Sequence, residues 1–227
     1  MAVARVMQAE PTYVWGNKEP EVDLCDYPVL RVGKNKPWAK LVPVHDVPEW
    51  DLRRGDIVVH TDYSGLGGGA MSAVTAGGEV YVAPAPMGKK TNIGEVAAVW
   101  HGLDAALSRS KTPRRIILAT DSQEAILDLL LRGGTDARFF EEAREDLLSS
   151  GIDVELWWCR GHSGSPLNSC ADAAARARGR GLLGELDGAK MGRVLERVQD
   201  RARDVRKRDI MRNCHFPVLQ DPELVMV

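Results

Sequence analysis

The sequence predicts an α/β protein, built from a mixed β-sheet with helices packed on it. Three observations lead to this prediction. Short apolar runs rich in β-branched residues recur along the chain, as in buried strands. Longer segments between them place apolar residues at helical spacing. Their order is three strands, a helix, a strand, two helices, a strand and a helix, which is typical of a mixed sheet flanked by helices.

Each element follows from a local pattern. The strands are expected over 55–64, 67–77, 77–85, 113–121 and 152–161, and the helices over 92–110, 122–134, 136–151 and 165–181. Gly77 and Gly78 lie between two alternating apolar runs and predict a hairpin turn. Pro166 near the first turn of the last helix is favourable there. A further helix is expected over 185–212, followed by an extended tail over 213–227.

These elements divide the chain into three parts. Residues 1–54 form a proline-rich N-terminal extension, in which frequent prolines disfavour long helices and two short apolar runs could form edge strands. Residues 55–181 contain the predicted sheet of five strands. Residues 182–227 form a basic C-terminal helix and tail.

Composition and charge limit the classes of function. The formal net charge of −2 and a pI near 6.2 argue against a uniformly basic nucleic-acid coat. Charge is nevertheless uneven, with a net −3 over 55–180 and a net +5 over 190–212. Four widely spaced cysteines without a C-x-x-C pair favour reduced thiols in the cytoplasm over a disulfide framework or a zinc site. No apolar run is long enough to cross a membrane, and no secretory signal is expected.

Four carboxylates carry the functional prediction. Asp62 and Asp121 follow apolar strands, Glu95 opens a helix, and Asp172 lies in the last helix of the central part. If the fold gathers these acids, their charges repel one another strongly. A pair of divalent cations relieves that repulsion, and hard oxygen ligands suit Mg²⁺, with Mn²⁺ as a substitute. The acids therefore predict a metal site for phosphate chemistry.

The series TDYSG, TNIGE, ATDSQ and RGHSGSPLNSCAD resembles type 1 ribonuclease H of bacteria and eukaryotes. The resemblance covers about 55–180 and implies a ribonuclease H-like five-stranded mixed sheet flanked by helices. It implies cleavage of the RNA strand of RNA–DNA hybrids with two metal ions bound by Asp62, Glu95, Asp121 and Asp172. It also implies that His162 carries protons or aids product release. Polar residues that could contact the substrate are Ser64, Asn92, Gln123 and Asn168.

Each of these residues also has a simpler interpretation. Asp121 could cap a helix, with Glu124 completing a capping box. Glu95 could be a first-turn acid favoured by the helix dipole. Asp172 could be a solvated helix acid, and His162 a loop histidine. Two further motifs are not expected to function: the glycines of 65–70 precede a hairpin rather than a nucleotide-binding helix, and 161–165 lacks the final glycine of a hydrolase elbow.

Two questions stay open at this point. The family usually has glycine where this chain has Tyr63, so the protein could act on another nucleic acid, or could be a binding module in which Tyr63 crowds a lapsed site. The C-terminal helix has an apolar stripe, from Met191 to Val205, beside many arginines. It could dock on the central part, bind nucleic acid or form a dimer.

Overall fold

Eight strands form one mixed sheet in the computed structural model, which describes residues 29–32, 36–47, 51–85, 91–130, 135–162 and 164–219. The strands are β1 Val29–Val32, β2 Lys36–Pro43, β3 Asp56–Ser64, β4 Ala70–Thr75, β5 Val80–Pro84, β6 Arg115–Thr120, β7 Asp153–Cys159 and β8 Cys214–Leu219. The helices are α1 Thr91–Arg109, α2 Gln123–Leu130, α3 Thr135–Ser149, α4 Pro166–Leu182 and α5 Gly188–Arg203.

The strand order across the sheet is β1-β2-β8-β7-β6-β3-β4-β5. Strands β3, β6 and β7 are parallel to one another, and every other neighbouring pair is antiparallel. The β4–β5 pair closes through the turn at Gly77 and Gly78, as the sequence predicts. The α/β class with a mixed, helix-flanked sheet is therefore confirmed.

The predicted number of five strands is wrong, because strands from both extensions enlarge the sheet. Strand β8 pairs with β7, and β2 and β1 continue the sheet beyond it. The two apolar runs of the N-terminal extension that could form edge strands correspond to β1 and β2. Pro37, Pro43 and Pro217 each remove a donor from a hydrogen-bonded ladder and weaken the strand pattern of β2 and β8. Residues 1–28 of the predicted extension lie outside the described residues.

The two faces of the sheet are covered by different helices. On one face, α1 packs so closely that a side chain at Gly102 would contact Thr61 and Leu118. On the other face, α4 lies over β4, and the Ser72 hydroxyl donates a hydrogen bond to the Ala171 carbonyl at 2.8 Å. Because successive strand residues point to opposite faces, Asp62 shares the α4 face with its cross-strand partner Ser72.

The C-terminal helix is shorter than predicted. It begins after Asp187, whose side chain accepts a hydrogen bond from the Lys190 amide at 2.7 Å, and it ends at Arg203. Within the rest of the predicted helix, Lys207–Asp209 forms a single turn of 3₁₀-helix. Strand β8 then lies in the segment predicted as an extended tail. Val198 and Ala202 are buried against α4, so the apolar stripe docks this helix on the protein.

No helix in the described part of the chain has the length and apolar character needed to cross a membrane.

Candidate active site

Asp62 and Asp121 lie side by side on neighbouring parallel strands. The register pairs Thr61 of β3 with Thr120 of β6, and each aspartate comes one residue later. Adjacent strands are about 4.8 Å apart, so the two carboxylates project from adjoining backbone positions on the α4 face. The parallel register itself therefore brings together two acids that are far apart in the sequence.

Glu95 reaches the same place from helix α1. The helix begins at Thr91, so Glu95 is its fifth residue and lies beyond the first turn. Glu95 is buried, and its Oε2 has no hydrogen-bond partner. A solvated acid that only favours the helix dipole would not be buried in this way. The burial instead indicates that the carboxyl group points into the site rather than into solvent.

Tyr63 points away from Asp62 but lies beside Glu95, and burial and the Glu95 charge raise the pKa of its phenol. It follows Asp62 on β3 and so points to the opposite face, where its ring lies against Gly94 of α1. Any side chain at Gly94 would clash with this ring, and a Cβ at Gly69 would lie 3.0 Å from the tyrosine hydroxyl. Tyr63 is 7 % exposed. Its ring fills a space between α1 and the sheet, on the side of the site that Glu95 occupies.

Asp172 completes the group from helix α4. It is partly exposed, and its Oδ1 forms an ion pair with Nε of Arg176, one helical turn later, at 2.7 Å. Arg176 also lowers the pKa of Asp62, although burial and the neighbouring acids outweigh this effect. Arg176 is therefore a cation that partly offsets the negative charge at the edge of the group.

Three contacts orient Asp121. The Asn168 amide donates to its Oδ2 at 3.2 Å, and the Trp158 indole donates to its backbone carbonyl at 3.0 Å. The loop after β7 passes so close that a Cβ at Gly161 would lie 2.7 Å from Oδ2. The first turn of α2 is instead capped by Ser122, whose hydroxyl accepts from the Ala125 amide at 3.1 Å. This arrangement leaves the Asp121 carboxylate available to the site.

The acids raise one another's pKa. Burial is the largest cause of the raised pKa of Asp62, Glu95 and Asp121. Burial, Asp121 and Asp172 raise the pKa of Asp62 from 3.8 to about 8. Burial, Asp62 and Asp121 raise the pKa of Glu95 from 4.5 to about 9. Burial also raises the pKa of Asp121, against the opposing hydrogen bond from Asn168. The three carboxyl groups thus share a largely buried region in which their charged forms are disfavoured, because protein cations compensate them only in part.

The donor set suits a hard divalent cation. Glu95 Oε2 and Asn168 Oδ1 are both buried oxygens without a hydrogen-bond partner. Among the described residues, no three of the four acids bring their oxygens within 4.8 Å of one another. Ligands of a single Mg²⁺ at 2.0–2.1 Å lie closer together than that, so cation binding would draw these side chains inward.

The other predicted site residues differ in their positions. His162 is exposed in the loop after β7 with a left-handed backbone (φ 52°), and its charge lowers the pKa of Asp121. Ser64 is buried at the end of β3, whereas Asn92 and Gln123 are exposed at the starts of α1 and α2. The Asn92 amide donates to Asp128 at 3.5 Å. Asn168 is only 4 % exposed, and its amide nitrogen donates a hydrogen bond to Asp121.

The sequence interpretation missed a second group of polar residues on the same face. His60, Cys159 and Cys214 are fully buried, and their ligand atoms all lie within 4.8 Å of one another. Contact with Cys214 is the main cause that lowers the pKa of Cys159, while burial raises that of Cys214. His60 precedes Asp62 by two residues, and only the pairing of β7 with β8 brings the cysteines together.

No family model matches this chain, and no curated protein matches it either.

Proposed function

We propose that this protein is a metal-dependent endonuclease that hydrolyses the RNA strand of RNA–DNA hybrids. One observation carries the proposal: Asp62, Glu95 and Asp121 are gathered with raised pKa values in a buried region. Such an arrangement costs stability unless a cation binds there, because like charges in a buried region repel one another. Perturbed carboxyl groups of this kind also cluster at functional sites.

Asp62, Glu95, Asp121 and Asp172 would hold two Mg²⁺ ions. Mg²⁺ bound there would supply activation of a water nucleophile and stabilisation of the leaving oxygen of the phosphodiester. The ion pair of Asp172 with Arg176 uses only Oδ1 and is partly exposed, so it is weak and leaves Asp172 able to bind a cation. The Arg176 guanidinium lies beside the site, where it can contact a substrate phosphate.

Asn168 and His162 lie close to Asp121 and are not acids themselves, so they can assist the carboxylates. Asn168 is a positioning residue, because its amide is bound to Asp121 and it is itself buried. His162 is exposed in the loop that passes Asp121, so it can exchange protons with solvent while lying near the carboxylate. A histidine in this position suits proton transfer to the leaving group or assistance to product release.

Recognition of the hybrid would involve groups around the carboxylates. Ser64, Asn92 and Gln123 are the candidates for contacts with the backbone and 2′-hydroxyls, since the 2′-hydroxyl distinguishes RNA from DNA. On α5 and just after it, Arg193, Arg197, Arg201 and Arg206 are exposed. Exposed cations of this kind bind phosphates and release counterions.

The proposal is tested by offering one labelled sequence as an RNA–DNA hybrid, an RNA duplex, a DNA duplex and single strands, each with Mg²⁺ or with EDTA. We expect Mg²⁺-dependent cleavage of the hybrid alone, and resistance of a hybrid in which deoxyribose replaces ribose around the cleaved position. Equal cleavage of the DNA duplex would replace ribonuclease H activity with a more general nuclease. Binding of the hybrid without any cleavage would support the lapsed module instead.

A further inference from the structure

The buried group formed by His60, Cys159 and Cys214 borders the carboxylates at Asp121, whose pKa Cys159 helps to raise, but it has a different chemistry. The three side chains come from β3, β7 and β8, and each is 0 % exposed. One atom from each, a ring nitrogen and two sulfurs, lies within 4.8 Å of the others. Imidazole and thiol groups are soft or borderline ligands, unlike the oxygens that suit Mg²⁺.

The hydrogen bonding of His60 leaves one ring nitrogen available as a ligand. Its Nε2 lies 3.1 Å from the carbonyl of Ile210. A carbonyl can only accept, so Nε2 carries the proton and donates it. Nδ1 is then the ring nitrogen that can present a lone pair to a cation, and it is buried without a hydrogen-bond partner. Metal-binding histidines commonly donate their other ring N–H to a backbone carbonyl in this way.

The two cysteines face each other across neighbouring antiparallel strands. Cys159 pairs directly with Cys214, while the Arg160 amide donates to the Asn213 carbonyl at 3.0 Å and the Cys214 amide donates to Met211. The cysteine pair is therefore of the non-hydrogen-bonded kind, in which side chains approach most closely. Both thiols are free, and each lies 3.9 Å from the Arg212 carbonyl, which is a weak contact.

We propose that His60, Cys159 and Cys214 form a structural site for a thiophilic divalent cation, namely Zn²⁺. Zinc takes thiolate and imidazole ligands in tetrahedral geometry, and the Arg212 carbonyl, 3.9 Å from each sulfur, is an oxygen that could take a fourth position. Two thiolates neutralise the charge of the ion, so the buried group carries no net charge. Complete burial excludes a substrate, which makes the site structural.

The position of this site gives it a consequence for the fold. An ion bound by these side chains would join the central strand β3 to strands β7 and β8 across the intervening strand β6. Because His60 lies two residues before Asp62 on the same face of β3, the ion would fix the strand that carries one of the acids. It would also hold the segment after α5 against the sheet, through Arg212 and Cys214.

The full chain, reduced and freed of metal with a chelator, is titrated with Co²⁺ as a coloured substitute for Zn²⁺. We expect saturation at one equivalent, with absorption bands of tetrahedral Co²⁺ and a thiolate charge-transfer band. Zn²⁺ should abolish these bands stoichiometrically, and excess Mg²⁺ should not. The readout does not involve cleavage, so its outcome is independent of the proposed nuclease activity.

Single substitutions identify the ligands. Cys159→Ser and Cys214→Ser should each weaken Co²⁺ binding by more than the roughly 10–100-fold typical of an outer-shell change. Cys170→Ser is the matched control, because Cys170 is a buried free cysteine outside the group, and it should bind as the wild type does.

Two outcomes would overturn the proposal. One is the absence of tetrahedral bands in the reduced wild-type chain, which requires no variant to fold. The other is equal weakening by Cys170→Ser. A disulfide between Cys159 and Cys214 that forms under air, combined with no Co²⁺ binding after reduction, would assign the pair to redox chemistry instead.

Discussion

Replacing Asp62 by asparagine should stabilise the protein in EDTA, and the gain should depend on pH. The pKa of Asp62 is raised from 3.8 to about 8 by burial, Asp121 and Asp172. A carboxyl group with a raised pKa binds its proton more tightly in the folded protein than in the unfolded chain. Its contribution therefore lowers the unfolding free energy as pH rises from about 4 to about 8. Asparagine has nearly the same shape and carries no charge, so it escapes this loss.

The magnitude follows from the interval between the two pKa values. Each pH unit within it corresponds to about 1.4 kcal/mol of unfolding free energy. At pH 7 the loss for wild-type Asp62 thus has an upper limit of about 4 kcal/mol. Movement of the side chain and entry of water reduce this limit, and we expect Asp62→Asn to gain about 1–3 kcal/mol at pH 7. At pH 4 the gain should be close to zero.

The assay is urea unfolding in EDTA at several pH values, for the wild type, Asp62→Asn and Asp146→Asn. Asp146 is an exposed acid on α3, away from the site, and serves as the control. Added Mg²⁺ should stabilise the wild type and have much less effect on Asp62→Asn. A variant that is no more stable than the wild type at pH 7, or a gain equal at pH 4 and pH 7, would refute the reasoning.

Three further predictions concern residues other than the four acids. Gly161→Ala should slow hybrid cleavage by roughly 10–100-fold with little change in melting temperature, because the added methyl group would press on the Asp121 carboxylate. Gly192→Ala is the control, since a methyl group there meets open space. Equal activity of the two variants would contradict this prediction. His162→Ala should slow turnover by about 100-fold, and a loss as large as that of the acid variants would mean that His162 is a ligand or structural. Changing Arg193, Arg197 and Arg201 together to glutamine should weaken hybrid binding and flatten its salt dependence by up to about 0.9 per lost phosphate contact, whereas an unchanged slope would exclude the helix as a nucleic-acid surface.

The periodicity of the sequence predicts the central elements well, because each strand or helix between 55 and 181 has its own local pattern. Strand β3, for example, is a continuous apolar run that ends in Asp62 and Ser64. Strands β1 and β2 fall on the two short apolar runs of the N-terminal extension, 28–33 and 39–44, that could form edge strands. Their place in the main sheet depends on long-range pairing of β2 with β8 and of β8 with β7, which local propensity does not predict. Helix α5 ends at Arg203, before the predicted end at residue 212, because the chain after it turns back and joins the sheet as β8. Local propensity does not predict that return.

The candidate site shows a similar division. Asp62 and Asp121 could be foreseen as neighbours, because both end apolar strands. The ion pair of Asp172 with Arg176 is a spacing of four on one helix and was also within reach of the sequence. The positioning role of Asn168 required the packing of α4 on the sheet. The group of His60, Cys159 and Cys214 could not be foreseen, because no motif spacing connects three residues on three separate strands.

The most direct test of the carboxylate site is the rate of hybrid cleavage by wild type and Asp121→Asn across a range of Mg²⁺ concentrations. Asp121 is chosen because the hydrogen bond from Asn168 and the proximity of Gly161 fix its side chain, so asparagine can occupy the same place. We predict saturable Mg²⁺ dependence for the wild type, no cleavage in EDTA, and loss of cleavage in a folded Asp121→Asn. Full cleavage in EDTA, or wild-type turnover by Asp121→Asn, would contradict the metal-dependent mechanism.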